Sequence, residues 1–291
     1  MAVTERDPHT GYLTTGHEWN GIKELNTPVP RAVYFFLIVT ALFSLGYWIL
    51  FPAFPLGWTY TKGLLGIDQR TTVAESLKQA ALDRESWSKR IATESYQAIQ
   101  ADPALMTIVR QTGRTLFGDN CAACHGFNAK GGKGFPNLTT ASWLWGGDAE
   151  TIAETIRVGI NSNHRNTRVA QMVAFGPVLS RADVENVVAY VQSLSDSTAT
   201  NRIPAGKLDE GKKVFAANCA SCHGDEGKGK ADLGAPDLTD GYWIYGGDPQ
   251  SIFASVLHGR QGQMPTWEDR LTAVERKILA LYLVDLRSRN P

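Results

Sequence analysis

Asn120-Cys-Ala-Ala-Cys-His-Gly126 is followed, 98 residues on, by Asn218-Cys-Ala-Ser-Cys-His-Gly224, and the two stretches hold all four cysteines of the chain. C-x-x-C-H is the attachment signature of a c-type haem. Two intervening residues bring both sulfurs to one side of a helical turn, within reach of the two vinyl groups of one porphyrin. The adjacent histidine then offers a ring nitrogen to the iron. A disulfide, a redox dithiol or half of a zinc site would also use paired cysteines. Recurrence of the whole heptapeptide favours haem, at two sites: Cys121, Cys124 and His125, then Cys219, Cys222 and His223.

The flanking sequence repeats as well. Gly113-Arg-Thr-Leu-Phe117 returns as Gly211-Lys-Lys-Val-Phe215, Pro136-Asn-Leu-Thr139 as Pro236-Asp-Leu-Thr239, and Trp143-Leu-Trp-Gly-Gly-Asp148 as Trp243-Ile-Tyr-Gly-Gly-Asp248. Each copy closes with a predicted helix that opens on a capping box, Ser180-x-x-Asp183 or Thr272-x-x-Glu275, and carries Tyr190 with Leu194 or Tyr282 with Leu286. Two units result, 103–196 and 207–291, joined by a polar linker at 197–206.

Ahead of the repeats stands a leader, 1–31, polar and broken by Gly, Asn and Pro. Residues 32–51 read AVYFFLIVTALFSLGYWILF, uncharged and about 30 Å long as a helix, the thickness of a bilayer core. A membrane span over 32–52 is expected, with Tyr47, Trp48, Trp58 and Tyr60 suited to an interface. The long leader and the lack of a small-residue cleavage site speak for an uncleaved anchor over a signal peptide. Because haem is attached outside the cytoplasmic membrane of bacteria, the amino terminus is placed in the cytoplasm and the repeats in the periplasm. Residues 53–102 form a connection in which 71–101 reads as one amphipathic helix, with Leu77, Trp87 and Ile91 among its apolar positions. It serves as a spacer or as a docking helix.

The composition is unremarkable at 43% hydrophobic and 20% charged, with a formal net charge of zero and no basic stripe for nucleic acid. No nucleophile–base pair or phosphate-binding glycine loop is evident, so the chain alone moves electrons without transforming a substrate. Such iron needs a second strong ligand. Met1 and Met106 precede both motifs, leaving Met172 and Met264, one per unit, 47 and 41 residues after the histidines. Met264 is followed by Pro265, whereas Met172 leads into Val173-Ala-Phe-Gly176. His164 and His258 are the competitors; His9 and His17 lie before the anchor.

The repeat resembles class I c-type cytochromes. That resemblance implies a mainly α chain: one amino-terminal transmembrane helix, then two tandem class I cytochrome c domains. In each, the first and last helices would cross beside the haem through the Gly/Phe and Tyr positions. It also implies that the carbonyls of Pro136 and Pro236 accept from the haem-ligating histidines. The leader Thr15-Gly-His-Glu-Trp-Asn-Gly-Ile-Lys-Glu-Leu-Asn-Thr-Pro-Val-Pro-Arg31, running into a span that ends Gly-Tyr-Trp, is similar to the dihaem cytochrome c subunit (subunit III) of bacterial cbb3-type oxidases. The similarity takes in the whole chain and implies two covalent haem c groups on Cys121, Cys124, Cys219 and Cys222. It implies axial ligation by His125, Met172, His223 and Met264. Its partners would be a cytochrome c donor, a monohaem cytochrome c subunit and a haem–copper catalytic subunit that reduces oxygen and pumps protons. A free membrane-anchored dihaem shuttle and a dihaem peroxidase are the alternatives.

Overall fold

The computed structural model describes residues 5–289, so the first four residues of the leader and the last two of the chain lie outside the description. The chain divides into two units, 1–83 and 84–291.

In the first unit the leader forms an antiparallel hairpin, β1 (Thr14–Trp19) and β2 (Ile22–Leu25). Asn20 and Gly21 both take positive φ, 49° and 86°, as the tight turn that matches strand twist requires. The polar composition of the leader, broken by Gly, Asn and Pro, does not announce these strands. Helix α1 (Arg31–Leu50) is the expected span, two residues short of the expected end, with mean hydropathy 2.1 and none of it buried. Its hydroxyls are satisfied within the helix: Thr40 donates to the Phe36 carbonyl and Ser44 to that of Thr40, as an apolar medium demands. The chain then folds back, and the amides of Leu64 and Leu65 donate to the carbonyls of Ile49 and Leu50. Gly63 makes this return possible, because a Cβ there would lie 2.3 Å from the Leu50 carbonyl oxygen.

Helix α2 (Gln69–Thr93) begins in the first unit and ends in the second. The single helix expected to residue 101 is broken after Thr93, where Ser95 caps a new one: its Oγ accepts from the Ala98 amide. α3 (Tyr96–Ala101) and α4 (Pro103–Asn120) follow, with Asp102 accepting from the Ala104 and Leu105 amides and Pro103 in the first turn. The short α5 (Ala122–His125), α6 (Ala149–Val158) and α7 (Arg181–Ser195) complete the first repeat. A single 3₁₀ turn at Ala199–Asn201 leads to the second repeat, α8 (Ala205–Asn218), α9 (Ala220–His223), α10 (Pro249–His258) and α11 (Ala273–Ser288). Thr272 and Glu275 form the reciprocal capping box; Ser180 accepts from the Asp183 amide without the return bond.

The packing of these helices departs from the sequence reading. The crossing expected inside each repeat is made between repeats. One core joins α4 and α6 to α11, the other joins α7 to α8 and α10. Gly113 meets Tyr282, whose ring lies 6.1 Å from Phe117, and Gly211 meets Tyr190, whose ring lies 5.4 Å from Phe215. Arg110 on α4 pairs with Asp285 on α11 at 2.8 Å. The reason is connectivity. Both repeats carry the same complementary surfaces, so either pairing satisfies them, but α7 and α8 are joined by so short a link that they pack as consecutive neighbours. α11 is left to close on α4. The second core is thus continuous in sequence, a cytochrome-like unit with its last helix first, and it interrupts the first.

Gly211→Val should destabilise the haem-loaded chain by more than about 2 kcal/mol, since a Cβ there would approach the Asn186 carbonyl oxygen to 2.1 Å. Gly206→Ala, where a Cβ meets nothing within 4 Å, should instead stabilise α8 by about 0.5 kcal/mol. Thermal unfolding of both variants checks the pair.

Candidate haem-binding sites

The two C-x-x-C-H stretches fold alike. α4 and α8 end at Cys121 and Cys219, whose amides donate to Phe117 and Phe215 at 2.8 Å. One further turn carries the chain to His125 or His223, and Gly126 or Gly224 then reverses it at positive φ. Each histidine Nδ1 lies at hydrogen-bond distance from a proline carbonyl, Pro136 at 3.2 Å and Pro236 at 3.1 Å. A carbonyl can only accept, so Nδ1 carries the proton and Nε2 presents its lone pair. Burial lowers the pKa of both imidazoles, opposed in part by the proline bond, so the rings are held in this neutral, ligating form. Burial likewise pushes the Cys121 and Cys219 thiols up to about 11, with the neighbouring cysteine adding to it, whereas Cys124 and Cys222 are exposed. Each motif therefore offers one thiol in an apolar wall and one at its rim.

The methionines follow the exchange of helices. Met264 packs against the core that contains Phe117 and Cys121, and Met172 against that of Phe215 and Cys219. The sequence reading gave each unit its own methionine. The structure places Met264 on the core that carries Cys121 and Met172 on the core that carries Cys219. Backbone pairing holds both loops: Met264 exchanges hydrogen bonds with Ile160 at 2.9 Å in both directions, and Met172 does so with Arg260 at 2.9 Å. The Met264 loop is fastened further, as Glu268 joins Arg157 at 2.7 Å and His164 at 2.8 Å. Those contacts remove His164 as a competing ligand, for its Nε2 faces Glu268 and its Nδ1 accepts from the Asn166 amide at 2.9 Å. His258 stands exposed at the end of α10. Among the described residues no group of three His, Cys, Asp or Glu side chains converges as a metal site, so the two cysteine pairs do not make a zinc centre together.

The repeated Trp-x-Trp/Tyr-Gly-Gly-Asp stretch carries a polar feature that its sequence does not announce. Trp143 Nε1 donates to the Thr140 carbonyl at 2.9 Å, but Trp145 Nε1 is buried with no acceptor in the protein. Arg168 lies over the Trp145 ring at 5.1 Å, its Nε donating to Thr155 Oγ1 at 2.9 Å. The second core repeats this, with Arg260 4.5 Å from the Tyr245 ring and its Nε 2.9 Å from Ser255 Oγ. A buried donor beside a guanidinium calls for an anionic acceptor. A porphyrin carboxylate supplies one, so the residues present fit the group that C-x-x-C-H implies.

Comparison with known proteins agrees on the class. Residues 111–195 match the cytochrome c family model, and cytochrome c domains bind haem c covalently. Residues 206–283 match the model of cytochrome c oxidase, cbb3-type, subunit III, and residues 11–58 that of the N-terminal domain of cytochrome oxidase-cbb3, FixP. The chain is 44% identical over 285 residues to a cbb3-type cytochrome c oxidase subunit FixP of Bradyrhizobium sp. (strain ORS 278), covering 97% of each. It is 44% identical to the FixP subunit of Azorhizobium caulinodans, covering 94% of this chain and 92% of that one. Against the CcoP subunit of Azospirillum sp. (strain B510) the identity is 40%, covering 98% and 99%. The chain belongs to the FixP/CcoP family of cbb3-type cytochrome c oxidase subunits.

Trp145→Phe keeps an aromatic ring at this position but removes the N–H. Covalent haem should be retained, and the pH-dependent segment of one midpoint potential should move to higher pH, because a carboxylate that loses a donor binds its proton more tightly. Redox titration across a pH series reads this directly.

Proposed function

We propose that the chain carries two covalent haem c groups and passes electrons from a cytochrome c donor towards the catalytic subunit of a cbb3-type oxidase. Cys121 and Cys124 hold one group, Cys219 and Cys222 the other. His125 with Met264 would ligate one iron, and His223 with Met172 the other. What supports this pairing is the placement of each methionine on the same apolar core as the opposite repeat's C-x-x-C-H turn. The bound haems supply reversible one-electron chemistry at iron. The protein's part is to hold a neutral imidazole on one face and a thioether on the other, and thioether ligation raises the potential. Two strong ligands at each iron would suit electron transfer with little rearrangement and would leave the chain without a catalytic site of its own. α1 anchors the chain in the inner membrane with the leader on the cytoplasmic side, and the haem cores lie in the periplasm. The other oxidase subunits, a monohaem cytochrome among them, are its partners.

The ligand pairing is tested in the full chain with Cys219→Ser and Cys222→Ser, which should leave half of the covalent haem. In that background Met264→His should lower the remaining midpoint potential, and Met172→His should leave it in place. The reverse pattern would restore one methionine per repeat.

Function is tested by purifying the chain in mild detergent from its own membranes and supplying reduced cytochrome c. Cyanide-sensitive oxygen uptake, with b-type haem and copper in the sample, is expected. A dihaem protein that takes up electrons without consuming oxygen would make it a free shuttle.

A further inference from the structure

The first core is not closed by its own repeat. The end of α2 and the start of α3 lie across it: Ile91 and Ile99 are fully buried, and Trp87 and Tyr96 pack against the same cluster. Lys277 on α11 fastens this cover, with its ammonium 4.9 Å from the Tyr96 ring and donating to the Glu94 carbonyl. Beneath the cover lie Leu105, Val109, Ala280 and Leu281, all buried.

By the alignment of the repeats, the counterparts of those four residues are Ile203, Lys207, Val188 and Ala189. In the second core they line an open groove of about 560 Å³ between α7, α8 and α10, with Phe253 on the third side. The difference follows from topology. α4 is preceded by a helical segment free to fold over the first core, whereas α8 is preceded directly by α7, which is already part of the second. The second core therefore has the equivalent positions, Val188 and Ala189 buried and Ile203 and Lys207 half-buried, and no segment that corresponds to Trp87–Ile99.

The groove's charge differs from that of its counterpart. Arg181, Arg202 and Lys207 line it against the single carboxylate of Glu185, where the first core has Ala273, Ala104, Val109 and Lys277. Arg181 pairs with Glu185 at 3.0 Å and Arg202 with Asp196 at 2.6 Å, both on exposed side chains. Such pairs contribute little and exchange readily for a partner's carboxylates.

We propose that this groove receives an amphipathic helix of another polypeptide of the oxidase. Its apolar face would present an aromatic and aliphatic residues as Trp87–Ile99 does on the first core, and its flanks would carry carboxylates facing Arg181, Arg202 and Lys207. Helix-in-groove recognition of this kind needs an apolar floor and a rim that sets orientation, and both are present. The proposal rests on the oxidase reading for the source of the partner helix.

A photoactivatable benzoylphenylalanine placed at Gln192, in the groove wall, tests it in the full chain within the purified oxidase, with Lys212 on the exposed face of α8 as the control position. Gln192 should give a product with another polypeptide about tenfold above Lys212, mapping to a helical segment with an aromatic residue and carboxylates. Arg202→Glu with Lys207→Glu should reduce that product about tenfold while the haem spectrum stays unchanged. No product above the control, a product between two copies of this chain, or one mapping to a basic segment or to lipid would overturn the proposal. Oxygen uptake and haem content of the same preparation report separately on the oxidase reading.

Discussion

Two close helix crossings govern this molecule. At Gly113 and Gly211 the absence of a side chain lets Tyr282 and Tyr190 approach to distances that no Cβ would tolerate. The buried rings of Phe117 and Phe215 complete each contact. Because the C-x-x-C-H turn follows directly from the helix that bears the glycine, each crossing fixes where a motif lies. Because a methionine loop precedes the helix that bears the tyrosine, it also fixes which methionine packs on that motif's core. The surroundings of each C-x-x-C-H turn are thus a consequence of helix packing, decided many residues away.

Much of this was legible in the sequence. An uncharged run of bilayer length, a repeated C-x-x-C-H, a proline after each motif and a methionine before each closing helix identify chemistry through residue types that have few other uses. His125 and His223 find Pro136 and Pro236 as expected, since a buried imidazole needs an acceptor and the loop offers one. The pairing of α11 with α4 was not legible. Homologous repeats carry interchangeable surfaces, so a pattern that identifies the partners of a crossing cannot say which copy supplies them; only the shortness of the α7–α8 connection discriminates. The hairpin was missed for another reason. Its strands are polar and expose Trp19 and Ile22, leaving Asn20-Gly21 as the one local signal.

The histidines and the arginines of the cores act in complementary ways. Around His125 and His223 the protein removes water and keeps the rings neutral. Around Trp145 and Tyr245 it places guanidinium groups, held by hydroxyls of α6 and α10. An apolar wall on one side and a cationic edge on the other match a porphyrin, which is greasy over most of its area and acidic at one margin. Trp145 is also wedged against the other core, for a Cβ on Gly234 would lie 2.4 Å from its indole. The cationic edge of one site and the loop that supports His223 in the other are therefore mechanically linked.

The nesting of one core inside the other also sets an order of events in biosynthesis. The chain is synthesised from its amino terminus, so α7, α8, α9 and α10 exist before α11, and every element of the second core is available while the first still lacks its closing helix and the Met264 loop. The first C-x-x-C-H to emerge is accordingly the last to be enclosed. The helix nearest the carboxy terminus, α11, therefore belongs to the core of the first C-x-x-C-H turn and not to that of the second.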